Sequence, residues 1–174
     1  MDPNAPNAPD ARRKPRGTAK DRALLLLGVR WRSRDELRRR LRKAGFESDD
    51  IEGALADLEA AGLIEDRRFA REMVRDQAGR RLAGNRSIRA GLLQKGVTRE
   101  IVDEALLAAG EESERALALA RHRAPRLSGL PPEAAFRRLY GLLVRRGYGP
   151  GIAREACTTA LRDLADRVIQ GDGS

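Results

Sequence analysis

Residues 36–55 read ELRRRLRKAGFESDDIEGAL, and the chain repeats the pattern as SIRAGLLQKGVTREIVDEAL at 87–106 and RLYGLLVRRGYGPGIAREAC at 138–157. Leu37, Leu41, Gly45, Phe46, Ile51 and Ala54 return as Ile88, Leu92, Gly96, Val97, Val102 and Ala105. They return again as Leu139, Leu143, Gly147, Tyr148, Ala153 and Ala156, each time 51 residues on and without a gap. Apolar residues at i and i+4 share one helical face, and a glycine four further on suits the left-handed turn that ends a helix. The unit is therefore helix, glycine turn, helix. One such pair cannot bury its apolar face alone, so three copies imply a series of packed helical units.

Working outward, Ala19 to Trp31 reads as a first helix whose apolar surface comes from Leu24, Leu25 and Leu27. Ser33 and Glu36 have the spacing of a capping box, and Gly45 closes the helix they open. Ser48 is expected to cap the next helix, 49–61, whose acidic first turn suits the positive end of its dipole. Helices follow at about 66–79, 86–95, 98–109 (capped by Thr98), 111–124, 133–146 and 152–168, with a looser basic connector from Arg80 to Asn85. This predicts an all-α fold of three tandem three-helix repeats, 19–65, 66–110 and 111–169, in an elongated arrangement. Residues 1–18 are Pro- and Asn-rich, then basic, and read as a disordered arm; 170–174 should fray.

At 174 residues the chain suits one domain or a few very small ones. Hydrophobic residues make up 41% but aromatics only 3%, so the core must be leucine, alanine and isoleucine. The net charge of +9 predicts attraction to polyanions. Charge alternates along the helices: 32–43 holds seven basic and two acidic residues, whereas 47–66 holds eight acidic and no basic ones. Residues 67–99 hold ten basic against two acidic, and 100–114 six acidic and no basic ones. Two explanations stand together: neighbouring helices neutralise each other, and a basic ridge faces a partner. The outward basic residues are Arg39, Arg42 and Lys43, flanked by Arg38 and Arg40, then Arg86, Arg89 and Lys95, and Arg137, Arg138, Arg145 and Arg146 in the third copy.

One histidine, His122, and one cysteine, Cys157, provide neither a His-rich metal site nor a Cys–His nucleophile pair. Cys157 falls where the other copies have Leu55 and Leu106, and reads as a small buried hydrophobe. Gly91–Gly96 and Gly147–Gly151 lack the Gly-Lys-Ser/Thr ending of a phosphate loop. No cofactor, metal or enzymatic activity is expected. A lone cysteine fits a reducing compartment, and the longest apolar run, Ala23–Val29, is far short of the roughly 20 residues of a membrane span. With no signal layout at its N-terminus, the chain reads as cytoplasmic. A helix–turn–helix pair resembles DNA readers, but the second helix opens acidic or mixed, which disfavours base readout.

Three segments in order and spacing, Ser33-Arg34-Asp35-Glu36-Leu37 with Leu41 and Gly45-Phe46, Gly62-Leu63-Ile64 with Asp66, Arg68-Phe69-Ala70 and Val74-Arg75, and Ile88-Arg89 with Leu92 and Lys95-Gly96-Val97, carry a resemblance. Over about 19–161 the chain resembles the RecX regulatory proteins, modulators of the RecA recombinase. The resemblance implies three three-helix units and a non-enzymatic monomer that binds the RecA–DNA filament. It would limit filament growth or promote disassembly, damping ATP hydrolysis, strand exchange and the SOS response in DNA repair and recombination. Arg38, Arg39, Arg42, Lys43, Arg68, Arg86, Arg89 and Lys95 are the expected contacts to RecA or, weakly, to single- or double-stranded DNA through its phosphates. Phe69 is expected in the core and Asp66 as a helix cap. Gly91 and Gly141 lie within helices, at roughly 1 kcal/mol each against alanine, and the third repeat diverges at Gly149-Pro150-Gly151. Rival readings are a plain DNA-binding protein and an adaptor for another acidic protein.

Overall fold

The computed structural model describes residues 17–171, with side chains to 167. The expected arm lies, up to residue 16, outside the described residues, as does the tail from 172. The described residues contain helices and no strand: α1 (Ala19–Val29), α2 (Arg34–Lys43), α3 (Ser48–Ala60), α4 (Asp66–Val74), α5 (Asn85–Gln94), α6 (Arg99–Leu107), α7 (Glu112–Arg123), α8 (Pro132–Arg145) and α9 (Pro150–Gly171). They fall into two compact units that divide inside α4, one ending at Phe69 and the other beginning at Ala70.

The repeated pattern does what its spacing requires. All fifteen of its apolar side chains are buried, from Leu37 to Ala156. Gly45, Gly96 and Gly147 take φ of +91°, +78° and +91°. After each, the next residue's N–H returns to a carbonyl five back: Phe46 to Leu41 (3.3 Å), Val97 to Leu92 (3.2 Å) and Tyr148 to Leu143 (3.2 Å). That six-to-one bond satisfies an orphan carbonyl and fixes the turn.

In the first unit α1, α2 and α3 pack on one another around Ala23, Leu37, Leu41, Ile51, Leu55 and Leu58. Here α1 departs from expectation. Its buried residues are Ala19 and Ala23, while Leu24 and Leu25 remain 41% and 66% exposed. Alanines one turn apart let the helix approach closely, and the bulkier leucines turn outward. Thr18, assigned to the arm, closes a capping box with Asp21 through two 3.1 Å bonds. Ser33 caps α2 as read, accepting from the Glu36 N–H at 3.1 Å. Ser48 is the first residue of α3, and Glu47 holds the cap position.

In the second unit α4 runs on into a six-residue π-helical stretch, Arg75–Arg80, that buries Ala78, so the helix expected over 66–79 is present but wound as a π-helix in its second half. Helices α5 and α6 pair, and α7, α8 and α9 enclose Leu119, Leu139, Leu143, Tyr148 and Ala153. A β-carbon on Gly91 would stand 2.9 Å from Met73 Cε, the far end of a flexible side chain that can turn aside. The segment before α5 lies against the turn after α8. Gly84 N–H donates to the Arg146 carbonyl (2.9 Å), and Arg86 N–H donates to that of Gly147 (3.2 Å). Tyr148 Oη donates to the Leu82 carbonyl (2.8 Å). Leu82 itself sits at φ +47°, a region a leucine seldom adopts.

Candidate functional site

The expected basic contacts divide by what already holds them. Arg38 grips Glu52 of α3 by two bonds, Nε to Oε1 (2.6 Å) and Nη2 to Oε2 (3.1 Å), and reaches Asp35 at 3.3 Å. Arg34 adds bonds to Glu52 (3.0 Å) and Glu59 (3.2 Å). The Arg38 hydrogen bond, helped by Arg34, holds the Glu52 carboxyl down at about 2, and the same bond pushes the Arg38 guanidinium up. Fifty-one residues later Arg89 pairs with Asp103 in the same way. Arg38 and Arg89 therefore tie each basic helix to the acidic helix behind it, the mutual neutralisation that the alternating charge suggested. The spacing is visible in the sequence, since each carboxylate follows its arginine by 14 residues.

Of the rest, Arg39 is half-exposed and reaches Asp35 at 3.4 Å. Lys95 is half-buried at the end of α5. Arg42, Lys43 and Arg86 are exposed and form no ion pair among the described residues. Arg68 lies over the Trp31 ring, 4.2 Å from its centroid, a cation–π contact rather than an ion pair. Trp31 is partly exposed near Leu24 and Leu63, which line a shallow apolar hollow with it.

Two buried arginines escaped the sequence reading. Arg32 is 6% exposed and donates from Nε to the Leu26 carbonyl (3.0 Å) and from Nη1 to Glu36 (2.6 Å). Glu36 Oε1 accepts also from Arg30 (2.5 Å) and Arg40 (3.1 Å). Arg115 donates to the carbonyls of Ala109 (2.6 Å) and Gly110 (2.7 Å) and to Asn85 Oδ1 (2.6 Å). Each satisfies carbonyls at the end of a helix, a structural task that a guanidinium fork suits.

Asp66 is a cap, but of another helix than its own. Its Oδ1 accepts the N–H of Arg34, the first residue of α2, at 2.9 Å. Burial pushes its carboxyl up against that bond. Glu112, first in α7, accepts the N–H of Asn85, first in α5, at 2.8 Å. Phe69 is buried as read.

Cys157 is buried, and burial raises its thiol to about 11. His122 is exposed. Among the described residues no group of three or more His, Cys, Asp or Glu could hold a metal, and no helix is long and apolar enough to cross a membrane. What the described surface offers is fixed charge, suited to binding an anionic partner.

The family models for the first, second and third three-helix domains of RecX match residues 19–58, 66–106 and 111–157. The chain is 35% identical over 147 residues to the regulatory protein RecX of Amycolatopsis mediterranei, covering 83% of this chain and 84% of that one. It is 42% identical over 154 residues to the regulatory protein RecX of Corynebacterium efficiens, covering 82% and 73%. With that of Chlorobaculum tepidum it shares 34% over 157 residues, covering 90% and 97%. The crystal structure of RecX from Lactobacillus salivarius shares the fold, with a TM-score of 0.72 at 24% identity over 84% of this chain and 95% of that one. Matched by all three domain models in order, the chain belongs to the RecX family of regulatory proteins.

Proposed function

We propose that this chain is a non-enzymatic regulator of the RecA recombinase. It binds the RecA–DNA filament and limits its growth or promotes its disassembly, so modulating recombination, DNA repair and the SOS response. The observation that carries the reading is the ordered match of all three domains to a family of regulatory proteins. The chain acts as a cytoplasmic monomer without a cofactor. Of the eight expected contacts, Arg42, Lys43 and Arg86 are the best placed, because their charge is exposed and unmatched among the described residues. Arg39, Arg68 and Lys95 contribute from partly engaged positions, and Arg38 and Arg89 serve mainly to hold their helix pairs.

The test is RecA's DNA-dependent ATP hydrolysis on single-stranded DNA, with this protein titrated well below one copy per RecA. Inhibition at such ratios is expected, since coating the DNA needs stoichiometric amounts. Inhibition only at DNA-saturating amounts favours a second reading, plain binding of DNA phosphates, which the net charge of +9 supports. No effect at any ratio refutes both and leaves an adaptor for another acidic protein. Arg42→Glu with Lys43→Glu should weaken inhibition while leaving helicity intact.

A further inference from the structure

Residues 115–154 contain nine arginines and one carboxylate, Glu133, so forty residues account for eight of the chain's nine net positive charges. The repeats explain why. Where the first two place Arg38 with Glu52 and Arg89 with Asp103, the third places Tyr140 and Arg154. The acidic half of the pair has become basic. Arg121 finds Asp163 at 2.7 Å, but among the described residues the arginines of α8 have no ion-pair partner on α9. Five of them, Arg123, Arg126, Arg137, Arg138 and Arg145, line one groove of about 600 Å³ between the end of α7 and the length of α8, over a floor of leucine and alanine.

No carboxylate and no aromatic residue lines that groove. None of the five arginines forms an ion pair among the described residues, and the Nε of Arg123 is shielded from solvent with no hydrogen-bond partner. Guanidinium groups of like charge share an open concavity here with no carboxylate in its lining; Arg126, Arg137, Arg138 and Arg145 are exposed, and together they raise the local positive potential. Such a site is incomplete until an anion enters.

We infer that this groove binds the sugar–phosphate backbone of a single nucleic-acid strand. From Arg137 to Arg145 the wall runs about 12 Å along α8, so its cations meet successive phosphates rather than one isolated anion. Guanidinium forks match phosphate oxygens bidentately. A concave lining suits one extended strand better than the broad convex cylinder of a duplex. Without an aromatic platform or base-reading amide in its lining, the groove follows the backbone irrespective of sequence. In its biological role the inference rests on the filament-regulator reading, because such a strand lies inside the recombinase filament. The binding itself does not require the recombinase.

The experiment is fluorescence anisotropy of a labelled oligothymidylate with the full chain, without recombinase, across a salt series. Arg126→Glu with Arg137→Glu should lower affinity by about tenfold or more and flatten the log–log salt slope by about 1–2. Arg22→Glu with Arg99→Glu, at two exposed positions away from the groove, should bind as the parent does. Circular dichroism checks each fold, and Arg126→Gln with Arg137→Gln decides the matter if the reversed pair unfolds. Parental affinity in the groove variants overturns the inference. So does equal loss in the Arg22 and Arg99 variant, which would mean that net charge alone binds. Duplex bound as tightly as the single strand overturns the strand assignment. A variant that keeps oligonucleotide binding but loses binding to a glutamate-rich peptide makes the groove a protein contact instead. RecA inhibition that survives while oligonucleotide binding ignores the arginines sinks this inference alone. Arginine-dependent binding by a protein that never inhibits RecA sinks the functional reading and leaves the groove.

Discussion

A β-carbon on Gly84 would stand 2.3 Å from the carbonyl carbon of Gly147, closer than unbonded carbons can come. Glycine at 84 is thus demanded by a residue 63 positions away, and the contact fixes how the segment before α5 meets the turn after α8. Gly84→Ala should cost about 2 kcal/mol or more, and Gly147→Ala at least as much because it adds a side chain at φ +91°. Gly129→Ala meets open space and should stay within about 0.5 kcal/mol of the parent. Urea denaturation of the three variants checks the contrast; equal midpoints would mean that the contact is not tight in solution.

The Arg38–Glu52 pair makes stability depend on pH in a defined window. In the folded chain the Glu52 carboxyl is lowered from 4.5 to about 2. Its stabilisation is therefore full above 4.5 and is lost as pH falls through about 2. Because Glu52 is nearly half exposed, solvent screening limits the effect to about 0.5 kcal/mol. Glu52→Gln should be less stable than the parent by that amount at neutral pH and converge with it in acid. Parallel stability curves would count against the pairing.

The cap from Asp66 to α2 needs an acceptor and not a charge. Asp66→Ala should lose about 1 kcal/mol. Asp66→Asn keeps an oxygen for the Arg34 N–H and removes a carboxylate whose ionisation burial disfavours, so it should retain most of the stability. Thermal melts of the two variants separate these outcomes.

Trp31 is the chain's sole tryptophan, so its emission reports directly on Arg68. Arg68→Ala should change the intensity and quenching of that emission and cost about 0.5–1 kcal/mol. If RecA covers this face, adding filament should alter the emission in the parent more than in the variant. An unchanged spectrum in Arg68→Ala would show that the stacking does not persist in solution.

The repeat was legible because its evidence is local and threefold. Leu37, Leu41 and Phe46 recur at fixed spacing, and the glycine after the helix has one conformational job. Asp66 and Phe69 were legible as types, a cap and a core residue, although which helix Asp66 caps depends on tertiary packing. Arg32 and Arg115 were not legible. A lone arginine in an arginine-rich chain reads as surface, and its burial is settled by carbonyls at helix ends that sequence spacing does not display. The basic ridge was read by adding charge along the chain, which counts Arg38 and Arg89 as available when each is already matched across its helix pair. The same arithmetic under-weighted the third repeat, whose cations are conspicuous only once their missing carboxylates are seen to be replaced.

The carboxylate that completes α2 comes from the first residue of α4, and the one that completes α5 from the first residue of α7. Helix α8 requires no such carboxylate. It begins a turn earlier with Pro131 at the cap and Pro132 as its first residue, neither of which has an N–H to satisfy. The repeats are thus related in sequence but not interchangeable in order. Each of the first two leaves an open end that a successor must close, while the third closes its own. A chain cut back to end before Asp66 would leave the start of α2 open. The prolines take from α8 the very N–H that the first two copies leave for a later helix to cap.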